Sequence, residues 1–147
     1  MIPGFLALIF LAMLGNAFFS GMETGLISIN RLKLRHLAEE GVPWAVTLQN
    51  LLEKPAALLG TTLLGTNFCM TVSSVLAASL GQKLHEASGE TLAGMVMAVL
   101  VLVFCEFIPK SWFRAQPLVR CPPFVPLFSA IQKLIRPLVR LVIGITD

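Results

Sequence analysis

Ser20, Glu23, Asn67, Ser74 and Glu106 are oxygen-bearing side chains set in runs that are otherwise almost wholly apolar. Gly21 and Gly25, the hydroxyls of Thr66, Thr71 and Ser73, and the pair Pro109-Lys110 stand close by in the chain. An ionised group deep in a bilayer costs about 2.5–3.5 kcal/mol on insertion scales, so such residues should face a protein interior and meet partners there. Carboxylate, amide, hydroxyl and carbonyl oxygens suit a hard cation: Mg²⁺, Ca²⁺ or Na⁺.

Two backbone features would add carbonyl oxygens to this set. Pro109 has no N–H for the carbonyl of Cys105, which frees that oxygen beside Glu106. Gly21 and Gly25 make local unwinding of the first apolar segment cheap, exposing carbonyls next to Ser20. Unwound helix near the midplane is a common way to build an ion site in transporters.

Plainer readings stand beside these. Glu106 and Lys110 are four residues apart and would pair on one helix face. Glu23 lies a turn nearer the membrane surface than Ser20 and suits pairing with a basic residue or capping. Ser73 and Thr66 are expected to bond back to the preceding turn. His36 and His85 fall in surface segments and carry no role. Cys69, Cys105 and Cys121 have no metal-ligand spacing and read as small core hydrophobes. No nucleophile–base arrangement or phosphate loop points to an enzyme.

The elements that must position these groups are membrane helices. Of the 147 residues, 56% are hydrophobic and only 13% charged, and there is no tyrosine. A soluble domain has about a quarter of its residues charged. Three segments are long enough for a bilayer, which needs about 20 apolar residues: about 2–27, 55–82 and 91–113. The third is a full span only if it takes Glu106 inside. The first lacks the basic start and cleavage site of a signal peptide and reads as a retained span. At 1.5 Å per residue, Asn67 is about 18 Å into the second span and Glu106 about 22 Å into the third, with Ser20 at similar depth in the first.

The connections are asymmetric in charge. Net charge is +3, and of the 11 Lys and Arg residues only Lys83 lies between the second and third spans. The positive-inside rule puts the N-terminus outside and the C-terminus in the cytoplasm. That topology accounts for the positive charge without nucleic acid. Residues 31–53 read as a helical hairpin along the cytoplasmic face, with Gly41 as C-cap and Pro43 in the first turn of its second helix. Residues 124–143 read as a basic amphipathic helix, kinked at Pro137, for the membrane surface or a partner helix. The expected fold is all-α: three transmembrane helices with juxtamembrane helices on the cytoplasmic side.

The blocks SGMETG with LISINRLKLRHLAEEG, LLGTTLLGTN and FCEFIPKS occur in this order and spacing. Together they resemble the transmembrane domain of the CorC/CNNM (cyclin M) family of magnesium transporters, over nearly the whole chain. The resemblance implies a homodimer in the cell (inner or plasma) membrane, followed in the cytoplasm by an ATP-binding CBS-domain pair; the present sequence stops before any such pair and reads as the isolated transmembrane domain. It implies Na⁺-coupled Mg²⁺ export. It also implies that Ser20, the Gly21 carbonyl, Asn67, Ser74 and Glu106 surround a dehydrated Mg²⁺. Relatives often carry a further asparagine near Thr66 or Met70, where this chain has threonine and methionine. The alternative is a Mg²⁺-sensing regulator of another transporter. A simple anchor would explain the topology but neither Asn67 nor Glu106.

Overall fold

A computed structural model describes residues 1–146, and all of the secondary structure among them is helical. The order is α1 (Ile2–Ile27), α2 (Arg31–Glu39), α3 (Pro43–Leu52), α4 (Pro55–Leu84), α5 (Gly89–Leu100), a π-helical segment (Val101–Phe107), α6 (Ile108–Ala115), α7 (Pro117–Arg120), a 3₁₀ turn (Pro122–Phe124) and α8 (Val125–Thr146). Three stretches are long and apolar enough to cross a membrane: Ile2–Ile27, Pro55–Leu84 and Gly89–Ala115. Phe10, Leu11, Phe68, Met95 and Phe107 are large apolar side chains on these stretches that stay exposed. Lipid is the solvent that makes such a surface favourable.

The chain forms two compact units. The first comprises residues 1–20 and 65–109. Its core gathers Ile9, Ala77, Leu80, Met97, Val101 and Cys105, with Phe5 and Met13 packed against them. Two helix contacts are made without side-chain bulk. A Cβ on Gly65 would fall 2.5 Å from the Phe19 ring, and one on Gly15 would fall 2.8 Å from the Cys69 Sγ. Small residues at such crossings let membrane helices approach closely. Lys83 lies over the Phe5 ring, 4.4 Å from its centroid.

The second unit comprises residues 21–64 and 110 onwards. Its hairpin forms for local reasons. The Asn30 side chain accepts from the N–H groups of Leu32 and Lys33, capping α2. Gly41, at φ 83°, takes the left-handed conformation that ends it. Val42 N–H then donates to Leu37 O at 3.2 Å and Gly41 N–H to Ala38 O at 3.1 Å, the bond pattern of a Schellman motif. Pro43 opens α3. Leu34, Ala45, Leu48, Val125 and Phe128 are buried in this unit. Arg120 donates to the carbonyl of Trp112 and lies over its ring at 4.6 Å.

Two local expectations change. The first helix does not unwind at Gly21 or Gly25: Ile2–Ile27 is one helix. Gly25 serves close packing instead, since a Cβ there would stand 2.6 Å from the Cys121 Sγ and 3.1 Å from the Phe113 Cβ. The helix from Val125 runs through Pro137 to Thr146, longer than the 124–143 expected. Pro137 is exposed, where the carbonyl it leaves without a donor can be solvated.

Candidate cation site

The site is built from α1, α4 and the π segment within the first unit. Along α1, Ile9, Met13, Asn16 and Ser20 recur at the spacing of one helix face. Ile9 joins the apolar cluster around Cys105, and Met13 contacts it through its backbone: the Cys105 thiol donates to the Met13 carbonyl at 3.4 Å. The next two positions on that face are polar. Asn16 is 1% exposed and Ser20 2%, and Asn16 Nδ2, Asn16 Oδ1 and Ser20 Oγ have no hydrogen-bond partner among the described residues.

Three hydroxyls of the second span are satisfied locally. Thr61 donates to Ala57 O at 2.8 Å, Thr62 to Leu59 O at 3.0 Å and Ser73 to Met70 O at 3.0 Å. The plain reading of Ser73 therefore holds. Ser20 makes no such back-bond. Leaving a buried polar group unpaired costs about 1–3 kcal/mol, so Asn16 and Ser20 together are a place where a ligand oxygen or cation would be welcome.

Glu106 lies half-buried inside the π segment. Ile108 N–H reaches back to Val103 O, not to Phe104. Pro109 offers no N–H to Cys105. The carbonyls of Phe104 and Cys105, next to the carboxylate, have thus lost their α-helical donors. Single π turns of this kind concentrate at functional sites. Pro109 and Lys110 follow at half-buried positions.

The second span, α4, presents two different faces. Gly65 and Cys69 meet α1, with Ser73 and Ala77 buried along the same stripe. Asn67, Thr71 and Ser74 stand on the opposite face and are exposed. The single chain therefore brings Ser20 to a buried position and Glu106 to a half-buried one, but leaves Asn67 and Ser74 open. Gly21, one residue after Ser20, is buried within regular helix. Glu23 is half-buried, and its side chain makes no hydrogen bond or ion pair among the described residues. No cluster of three or more His, Cys, Asp or Glu side chains exists among the described residues, so a cation here would be held mainly by neutral oxygens around one carboxylate.

Asn16 is the residue that sequence reasoning missed. Its signal was available, as an amide one turn before Ser20 in a run uncharged from Ile2 to Met22.

The family profile described as the cyclin M transmembrane N-terminal domain matches residues 6–147. The chain belongs to that family. This cyclin M transmembrane domain is 37% identical over 131 residues to the UPF0053 inner membrane protein YfjD of Escherichia coli (strain K12), covering 89% of this chain and 31% of that protein. It is 38% identical over 96 residues to a UPF0053 protein of Haemophilus influenzae, covering 65% of this chain and 23% of the relative. An uncharacterized protein of Mycobacterium tuberculosis is 33% identical over 138 residues, covering 84% and 39%. The cyclin M domain thus spans under two fifths of the length of these relatives. With its three candidate spans, it is a multi-pass membrane domain.

Proposed function

We propose that this cyclin M domain carries Mg²⁺ across the cell (inner) membrane by alternating access, as a homodimer and in exchange for Na⁺. One observation carries the reading: Asn16 and Ser20 present buried polar atoms without partners on the α1 face that meets the π segment holding Glu106. Mg²⁺ prefers octahedral oxygen coordination and gives up water reluctantly, so a dry site must supply protein oxygens and at least one charge. Glu106 is the carboxylate deep within the third span, whose other carboxylate, Glu90, stands in its first turn. Ser20 and Asn16 are the neutral companions of Glu106 on α1; the family resemblance adds Asn67, Ser74 and the Gly21 carbonyl, which the single chain holds on the exposed face of α4 and within regular helix, respectively. Na⁺ is a hard cation suited to the same donors.

The exposed face of α4 supports the dimer. Asn67 and Ser74 at mid-membrane depth are costly against lipid, and a second copy on that face removes the cost. The distribution of basic residues supports an outside N-terminus and a cytoplasmic C-terminus. A cytoplasmic CBS pair with bound ATP, as the family implies, would then follow on the inner side and regulate the domain.

The test is flux. Purified protein in liposomes containing an Mg²⁺ dye should move Mg²⁺ faster when a Na⁺ gradient is imposed, and Glu106→Gln should stop it. Mg²⁺ binding without flux at any Na⁺ gradient would favour the sensor reading. Topology is tested with Ala87→Cys in a background lacking Cys69, Cys105 and Cys121: labelling from the outside is expected, and labelling only from the cytoplasmic side would refute the orientation.

A further inference from the structure

The second unit contains a cleft of about 560 Å³ between α3, the start of α4 and α8. Lys54, Lys133, Arg136 and Arg140 line it, together with the neutral groups of Asn50 and Gln132. Among the described residues no carboxylate lines the cleft, and none of these four cations has an ion-pair partner. Four like charges around one concavity repel each other unless an anion enters. Arg136 and Arg140 add planar donor forks that match phosphate oxygens, and Lys54 and Lys133 act as point charges.

The occupant follows from where this cleft stands. On α8 the cleft-lining positions 133, 136 and 140 fall on one side. Leu134, Leu138, Leu141 and Ile145 fall roughly opposite at 100° per residue and are all exposed, at 78%, 52%, 60% and 78%. A helix that is cationic on one face and apolar on the other lies in the membrane interface. Lys54 immediately precedes Pro55, the first residue of a candidate span. Cations and apolar surface therefore meet at headgroup depth. The geometry points to a binding site for the phosphate of an anionic phospholipid, separate from the cation site and made by residues of the second unit alone. The bound headgroup neutralises the cleft.

Thermal unfolding of the purified full chain in neutral detergent tests this, with phosphatidylglycerol, phosphatidylcholine or inorganic phosphate added. Phosphatidylglycerol should raise the midpoint in a saturable way, and phosphatidylcholine should not. Because an interfacial cation contributes about 1 kcal/mol to anionic-lipid binding, Arg136→Gln should weaken the apparent affinity about fivefold. The triple variant Lys133→Gln, Arg136→Gln, Arg140→Gln should lose the effect. If the triple variant fails to fold, the single variant carries the comparison. Lys33→Gln, an equal charge change on exposed α2 and outside the cleft, should leave affinity unchanged. Inorganic phosphate stabilising as well as the lipid would overturn the lipid assignment in favour of a soluble phosphate. Equal stabilisation of wild type and Arg136→Gln, equal loss in Lys33→Gln, or no stabilisation by phosphatidylglycerol would overturn the site itself.

Discussion

The thiol of Cys105 donates to the backbone carbonyl of Met13, 3.4 Å away, and this contact joins the π segment to α1 one turn before Asn16. It fixes the neighbourhood of the candidate site. Cys105 is 1% exposed, so the contact is dry, and the residue after it is the carboxylate Glu106. A π turn held against an unbroken helix sets Glu106 at a defined height relative to the polar positions of α1.

The first expected outcome concerns that carboxylate. Glu106→Gln keeps the side-chain shape and removes its charge. Mg²⁺ protection against thermal unfolding or proteolysis should disappear while the protein stays folded. Asn67→Ala should weaken protection strongly and Glu23→Gln less. Normal Mg²⁺ protection in Glu106→Gln would remove Glu106 from the site.

Asn16 separates stability from function. Asn16→Leu replaces an unsatisfied amide with an apolar group of the same branching. Relieving a buried unpaired polar group is worth about 1–3 kcal/mol, so without ions the variant should melt higher than wild type. The same change should reduce Mg²⁺ protection. A variant with unchanged Mg²⁺ protection would make Asn16 a purely structural residue.

Helix contact at Gly65 is testable by a paired change. A Cβ at Gly65 would lie 2.5 Å from the Phe19 ring, so Gly65→Ala must push α1 and α4 apart or force the ring aside. Overpacking of this kind costs about 1–3 kcal/mol. Adding Phe19→Leu should recover part of the lost melting temperature. Two losses that simply add would mean that the residues do not touch.

Cys121 should respond to pH in one direction. Burial pushes its thiol up from the ordinary 9.0 to about 12. Below the ordinary value the thiol is neutral whether folded or unfolded, and its contribution to stability is fully present. Between 9.0 and about 12 only the unfolded chain ionises, so stability falls as pH rises. Replacing Cys121 with serine should flatten that alkaline decline in the melting temperature. At neutral pH, maleimide should label Cys121 only after unfolding.

Much of the architecture follows from local sequence. The uncharged runs after Ile2 and Pro55 each exceed the roughly 20 residues a bilayer requires, and no other element can bury so long an apolar stretch. Asn30, Gly41 and Pro43 set the limits of α2 and α3 through caps that act within a few residues. The amphipathic period from Leu127 onward likewise announces α8. The facing of the spans was decided elsewhere. A membrane helix apolar on every side has no hydrophobic stripe to say which residues turn inward, so Asn16 and Asn67 look equivalent in sequence. Packing separates them: Gly65 and Cys69 fit against α1 and turn Asn67 outward, while the face of α1 that meets Cys105 carries Asn16 and Ser20 inward. Pro109 signalled a lost donor, but the π segment around Glu106 depends on how the third span seats against its neighbours. Helix length is a sum over neighbours in the chain, whereas helix rotation is fixed by contacts between residues about 50 to 90 positions apart, such as Phe19 with Gly65 and Met13 with Cys105.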